Sequence, residues 1–380
     1  MGTQEMRKRS TGRSRGVFIV LVALILSAAV IGMLVIRDVR KETDVTARTT
    51  KVGLIIPGAK DDANYSQSHY DSLKSLEEDL NLKILCKESV AQDEGCAEAI
   101  EELVEKEGCR VVIAASFGYG AYVREMADRY PEVCFIQPTG TETAANLATC
   151  MGRMYQARYL AGIVAGMSTK TGEIGYAAAF PIPEVIRQIN AFTLGVRSVA
   201  PDAEVHVIYI NSWGDDEAAA EACGKLLAQN PGTDILTMHT DSLMPDRIAA
   251  ENGIRSIGFN RDNAALFPDS YLTACVWNWE DYYRQAILSC LQGKFYGRHD
   301  WIGMEEGMVA VSALTKNCAP GTGTAVEEAK ARFENRSFDV FYGPVTDNAG
   351  QLRVPEGESM SDDEMLNRFD WYVEGVTLEE

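Results

Sequence analysis

Residues 234–279 read DILTMHTDSLMPDRIAAENGIRSIGFNRDNAALFPDSYLTACVWNW. Three short apolar runs lie in this stretch, and each breaks off in polar or aromatic residues. Ile235-Leu236 leads into Met238-His239-Thr240-Asp241-Ser242. Residues 254–258 lead into Phe259-Asn260-Arg261-Asp262, and residues 272–276 into Trp277-Asn278-Trp279. Apolar runs of strand length, separated by helix-length segments, predict parallel strands joined by helical crossovers. In such sheets a ligand sits beyond the carboxyl ends of the strands. Here those ends offer two carboxylates, amide and hydroxyl groups and two indoles, a set suited to a flat, hydrogen-bonding small molecule.

The same rhythm extends upstream. Strands are expected at 52–56, 82–86, 110–115 and 133–136, with helices at 70–80, 96–105 and 122–130 between them. After a long helix at 154–167, a second series begins at Glu173. It predicts a helix at 184–198, with Pro183 in its first turn, a strand at 205–210 and a helix at 216–229. The fold class is α/β: two doubly wound lobes with parallel sheets joined by a hinge. Lobe 1 is placed at 51–168 with a return segment near 277–308, and lobe 2 at 169–276 with about 309–372. A helix at 280–291 is expected to return to lobe 1. A helix is expected at 327–333, a late strand at 338–342 and an acidic tail at 373–380.

Residues 1–16 are basic and residues 17–36, VFIVLVALILSAAVIGMLVI, carry no charge. Twenty apolar residues in a helix span about 30 Å, one hydrocarbon thickness. With the basic flank inside, this segment reads as a signal anchor, or as a signal peptide if it is cleaved. It places the rest of the chain outside a cell membrane, with 37–50 as a linker. Net charge is −19, with 36 Lys/Arg against 55 Asp/Glu. So acidic a chain lacks the basic footprint of a nucleic-acid binder.

The nine cysteines form no CxxC pair and join no histidine at metal-ligand spacing. Cys134, Cys150 and Cys275 lie in apolar runs and read as buried small hydrophobes; pairing of Cys96 with Cys86 or Cys109 is open. No HExxH, GxSxG or Walker motif is present, and Gly118-Tyr119-Gly120 and Gly321-Thr322-Gly323 fall short of a dinucleotide fingerprint. The sequence points to no enzyme, cofactor or metal site.

Aromatic residues cluster at apparent strand ends: Tyr65, Phe117, Tyr119, Phe180, Trp213, Trp277 and Trp279. Faces of this kind stack on flat rings. Asp241 and Asp262 could accept ring N–H donors, and Asn278 could both donate and accept. The competing roles are helix capping for Asp241 and a turn or cap for Asp262. Arg187 reads as a salt-bridge partner rather than a ligand contact.

Several segments together resemble one family. They are Asp62-Ala63-Asn64-Tyr65-Ser66-Gln67-Ser68-His69, Ser116-Phe117-Gly118-Tyr119, residues 152–162 (GRMYQARYLAG), residues 179–185 (AFPIPEV), Asn211-Ser212-Trp213, His239-Thr240-Asp241-Ser242 and Val276-Trp277-Asn278-Trp279. From residue 51 to about 374 the chain resembles the basic membrane protein family of substrate-binding proteins for ABC transporters. The resemblance implies a two-lobed receptor of the periplasmic-binding type that clamps its ligand between lobes, with permease and ATPase subunits as partners. It is nearest the branch that looks like receptors for free purine bases such as adenine. In the nucleoside branch a strand-end Asp and a Lys hold the ribose; the matching positions here are Asn260 and Trp277. An Asp that reads the base there matches Ile56. The sandwiching aromatics fall on Tyr65 and Trp213, and the base-binding branch commonly has Trp where this chain has Tyr65. A nucleoside receptor of the same family, or a membrane-anchored sensor, is the alternative.

Overall fold

The structure is a computed structural model that describes residues 45–380. The segments assigned above to a basic terminus (1–16), a signal anchor (17–36) and most of the linker lie outside the described residues. Among the described residues no helix is long and apolar enough to cross a membrane.

Strands form where short β-branched and aliphatic runs are buried on both faces, the pattern of a parallel sheet covered by helices. In chain order the first series is β1 (Thr50–Ile55), α1 (Tyr65–Lys74), β2 (Leu82–Lys87), α2 (Glu94–Glu101), β3 (Val111–Ala114), α3 (Gly120–Arg129), β4 (Cys134–Pro138) and β5 (Leu147–Gly152). The chain then crosses through α4 (Met154–Ser168). The second series is β6 (Glu173–Ala178), α5 (Pro183–Arg197), β7 (Glu204–Tyr209), α6 (Asp216–Gln229), β8 (Ile235–His239), α7 (Met244–Glu251), β9 (Arg255–Asn260) and β10 (Tyr271–Trp277). There follow α8 (Trp279–Leu291), β11 (His299–Ile302), β12 (Val309–Val311), α9 (Thr322–Glu334), a hairpin of β13 (Val345–Thr346) and β14 (Leu352–Val354), α10 (Asp362–Asn367) and β15 (Val376–Leu378).

The first sheet has the order β11-β5-β4-β3-β1-β2 and the second β12-β10-β9-β8-β6-β7-β15. All these pairings are parallel except β10 with β12. The chain passes between the sheets three times: after β5, after β10 and between β11 and β12. These crossings pack tightly. A Cβ on Gly152 would stand 2.3 Å from Trp277 Cζ3 and 2.7 Å from Val309 Cγ1, so only a bare Cα fits there.

The structure departs from the expected elements in several places. The strand Leu147–Gly152 is absent from the expected strands. Residues 338–342, expected as a strand, hold a turn at 340–341 and an isolated bridge from Tyr342 to Ser359. Within the acidic tail, β15 pairs with β7. Helix α4, placed at the end of lobe 1 by the sequence, packs along α5, β10 and β12. Gly162 and Gly195 allow that approach: a Cβ on either would come within about 2 Å of the opposite backbone, at Phe192 O and Tyr159 O. Finally, Cys134 is not a free thiol. It is bonded to Cys290, joining β4 to α8, while Cys86, Cys96 and Cys109 are free.

Candidate functional site

Counted from its own first strand, each sheet repeats one order: β2-β1-β3-β4-β5 and β7-β6-β8-β9-β10. Crossovers leave β1 and β3 in opposite directions, and likewise β6 and β8, so each pair opens a crevice at its carboxyl end, where ligands bind in doubly wound sheets. The segment leaving β1 carries Asn64 and Tyr65. The segment leaving β6 carries Phe180 and Glu184. Asp241 follows β8, and Asn260 ends β9.

Local chemistry fixes these loops. The Asp62 carboxylate accepts from the backbone N–H groups of Asn64, Ser66 and Gln67 at 2.8–3.0 Å, starting α1 five residues before its sequence periodicity does. Trp213 O accepts from Asp241 N at 2.6 Å and from the Thr240 hydroxyl, tying two strand exits together. Ala63, Thr139, Asn211 and Asn260 have φ of 56°, 61°, 58° and 67°. Left-handed backbone at non-glycine residues is a strained feature that collects at functional sites.

The lobes meet at Asn260. Its Nδ2 donates to Asn64 Oδ1 at 2.6 Å and to Asp241 Oδ1 at 2.8 Å, and its Oδ1 accepts from Trp277 Nε1 at 2.8 Å. Nearby, Asn263 Nδ2 donates to Ala63 O at 3.0 Å, and Arg261 pairs with Asp71. One run of rings passes from the first lobe to the second: Tyr65, His69, Trp279, Trp277, Phe259, His239, Trp213 and Phe180, with successive centroids 4.4–6.4 Å apart.

The electrostatics follow from burial. The Asp241 carboxyl is pushed up to about 7 by desolvation, opposed by its bond from Asn260 and reinforced by the negative charges of Asp62 and Glu184. Burial raises the Glu184 carboxyl too, against the pull of Arg187. Burial lowers His69 to about 3 and His239 well below its ordinary value, so both rings are neutral at pH 7. Arg158 is fully buried, donates to Met238 O at 2.7 Å and to Gln188 Oε1 at 3.2 Å, and lies 4.3 Å over the Phe259 ring.

Of the residues singled out in the sequence, Tyr65, Phe180, Trp213, Asp241, Asn260, Trp277 and Trp279 come together here. Four do not. Phe117 is 66% exposed. Tyr119 is buried on the outer face of the first sheet and donates to Val90 O at 2.7 Å, because the single 3-10 turn at Phe117–Tyr119 carries it away from the strand end. Asp262 is exposed and accepts from Ala264 N, a turn role. Asn278 is exposed and donates to Gly307 O at a chain crossing. Arg187 makes no salt bridge among the described residues; it donates to Met365 O and lies 5.3 Å over the Trp301 ring. Sequence reasoning passed over Asn64, His69, Phe259 and Glu184. For Glu184 the available signal was its place in the segment that follows β6.

The description "ABC transporter substrate-binding protein PnrA-like" matches residues 49–331. The chain is 34% identical over 328 residues to the purine-binding protein BAB2_0673 of Brucella abortus, covering 86% of this chain and 92% of that one. It is 32% identical to the putative ABC transporter glucose-binding protein TsgA13 of Haloferax volcanii, covering 83% and 77%. Among solved structures, an ABC transporter solute-binding protein from Conexibacter woesei superposes with a TM-score of 0.65 at 18% identity, covering 76% of this chain and 98% of that one.

Proposed function

Because the chain belongs to the PnrA-like family of ABC transporter substrate-binding proteins, we propose that it captures a purine base between its lobes and hands it to an importer's permease and ATPase. The family is one of solute-binding receptors, not enzymes. The observation that carries the purine reading is the convergence of aromatic rings and Asp241 on the crevices at β1/β3 and β6/β8. Tyr65 and Trp213 stack on the ring, and the Asp241 carboxylate takes its N–H donors. Phe180, Trp277 and Trp279 wall the pocket.

Asn260 argues for a bare base over a nucleoside. Both its N–H groups are engaged by protein partners and its carbonyl oxygen already accepts from Trp277, so it offers no free donor to a ribose hydroxyl. The Cys134–Cys290 disulfide fits an oxidising, extracytoplasmic location. The purine-binding name of the Brucella relative agrees with this reading; the glucose-binding name of the Haloferax relative makes a sugar the comparison ligand.

Trp213→Ala removes one stacking face. Purine affinity should fall by roughly 1–3 kcal/mol, or about 5- to 150-fold, by calorimetry. Unchanged affinity would show that Trp213 does not touch the ligand.

Affinity should also depend on pH. A ligand N–H donor favours the charged form of Asp241, so binding drives proton release while Asp241 is partly protonated. Affinity should rise from pH 5.5 to about 7 and level off above it. Unliganded stability should move oppositely. Asp241 holds its proton to about pH 7 when folded but only to its ordinary 3.8 when unfolded, so its contribution to stability falls as pH rises through that window. Asp246, also pushed up to about 7 by burial, acts in the same direction. Calorimetry in two buffers of different ionisation enthalpy reads the released proton directly. Absence of proton release at pH 6 would remove Asp241 from the ligand contacts.

A further inference from the structure

One amide fixes the orientation of the next. The Trp277 indole nitrogen can only donate, so the Asn260 atom 2.8 Å from it is the carbonyl oxygen. The Asn260 nitrogen therefore faces Asn64 and Asp241, and its two hydrogens go to acceptors at 2.6 and 2.8 Å. The Asn64 atom it meets must then be oxygen, which turns Asn64 Nδ2 away. That nitrogen is sealed from solvent with no hydrogen-bond partner, in a residue with 0% exposure. Asn64 makes no capping bond to α1 either, although it sits at the capping position. Buried N–H groups are nearly always paired, so this one needs a partner the chain does not supply. On the other side of Asn260, the second oxygen of Asp241 accepts nothing from the described residues. Asn64 leaves β1 and Asp241 leaves β8, so donor and acceptor stand at the crevices of the two sheets.

We propose that Asn64 is a ligand-reading residue: its Nδ2 donates to an acceptor on one edge of the bound ring while Asp241 accepts from the neighbouring N–H. Asn260 is the positioning residue that sets the spacing of the two. The inference rests on the purine reading of the cleft and narrows it to ligands that present an acceptor beside a donor. The 6-amino group with a ring nitrogen of an aminopurine satisfies this, as does N1–H with O6 of an oxopurine.

The test is a mutant–analogue cycle by calorimetry. The full chain and its Asn64→Ala and Asn64→Asp variants are titrated with the best-binding purine and its 1-deaza, 3-deaza, 7-deaza and 6-unsubstituted analogues, each lacking one ring nitrogen or the 6-substituent. Asn64→Asp keeps the oxygen that Asn260 needs and exchanges only Nδ2 for oxygen, so the lobe-to-lobe bond survives. The expected result is that one analogue binds the wild type about ten- to a hundredfold more weakly. That penalty disappears in Asn64→Ala, and Asn64→Asp, which sets an oxygen where Nδ2 met the ligand's acceptor, loses parent affinity at pH 7–8. Penalties of wild-type size for every analogue in Asn64→Ala would overturn the assignment and leave Asn64 as a bond between lobes. Failure of any purine to bind the wild type would overturn the purine reading first, and this inference with it.

Discussion

Asn260→Leu should cost about 3–5 kcal/mol of stability, the larger of the two strongest effects expected in this protein. The substitution deletes three hydrogen bonds and leaves Trp277 Nε1 and Asn64 Oδ1 buried without partners. Each such group costs about 1–3 kcal/mol. Leucine must also adopt the φ of 67° that asparagine tolerates, adding on the order of 1 kcal/mol. The expected readout is a lower denaturant midpoint with unchanged slope and a Tm lower by roughly 5–10 °C. Asn260→Asp should separate the contributions. It keeps the acceptor for Trp277 but sets a second carboxylate where Asp241 now receives an N–H, so its destabilisation should be smaller at pH 5 than at pH 8. A leucine variant as stable as the wild type would mean that the Asn64–Asn260–Asp241 network does not form.

The second large effect belongs to the Cys134–Cys290 bond, which closes a loop with a sequence separation of 156 residues. By constraining the unfolded chain, a disulfide over so long a loop contributes about 2–5 kcal/mol. It also ties α8, which arrives from the second sheet, to β4 of the first. Guanidinium unfolding should shift to lower denaturant when reductant is added, and the Cys134→Ser/Cys290→Ser double variant should already show the shifted curve and ignore reductant. Thiol labelling in denaturant should then find 7 reactive groups of 9 before reduction. Nine reactive thiols in protein taken from its native compartment would remove both the staple and its support for an extracytoplasmic location.

Much of this architecture was legible because a parallel sheet writes itself as apolar runs. The helix Asp216–Gln229 was read to the residue, since Asp215 supplies its cap by accepting from Glu217 N and Ala218 N. β5 escaped because Leu-Ala-Thr-Cys-Met-Gly has little β-branched character of its own, yet it is buried at every position by its neighbours. The false strand at 338–342 reflects a run rich in aromatic and β-branched residues, Phe-Asp-Val-Phe-Tyr, whose rings pack elsewhere, with Phe341 against Tyr155 and Phe369. The cysteine pairing joins residues 156 apart and has no local signature.

At the site, sequence marked residue types at strand ends but not which of them keep their partners. Tyr119 and Trp213 are both aromatic and both follow strands. One donates its hydroxyl to Val90 O on an outer face, and the other joins the rings between the lobes. Asn64 lay unremarked inside a quoted segment because what singles it out is tertiary. It is the neighbour of an amide whose orientation a tryptophan on the second sheet decides.

Ligand-dependent unfolding of the purified protein tests most directly whether it captures a free purine base. The panel is adenine, guanine, hypoxanthine and xanthine against adenosine, guanosine and glucose. A ligand at a hundred times its Kd adds about 2.7 kcal/mol, a rise of a few degrees in Tm for a chain of this size. A rise with at least one free base, and none with its nucleoside or with glucose, is the predicted result. A rise with glucose or a nucleoside and none with any free base would contradict it.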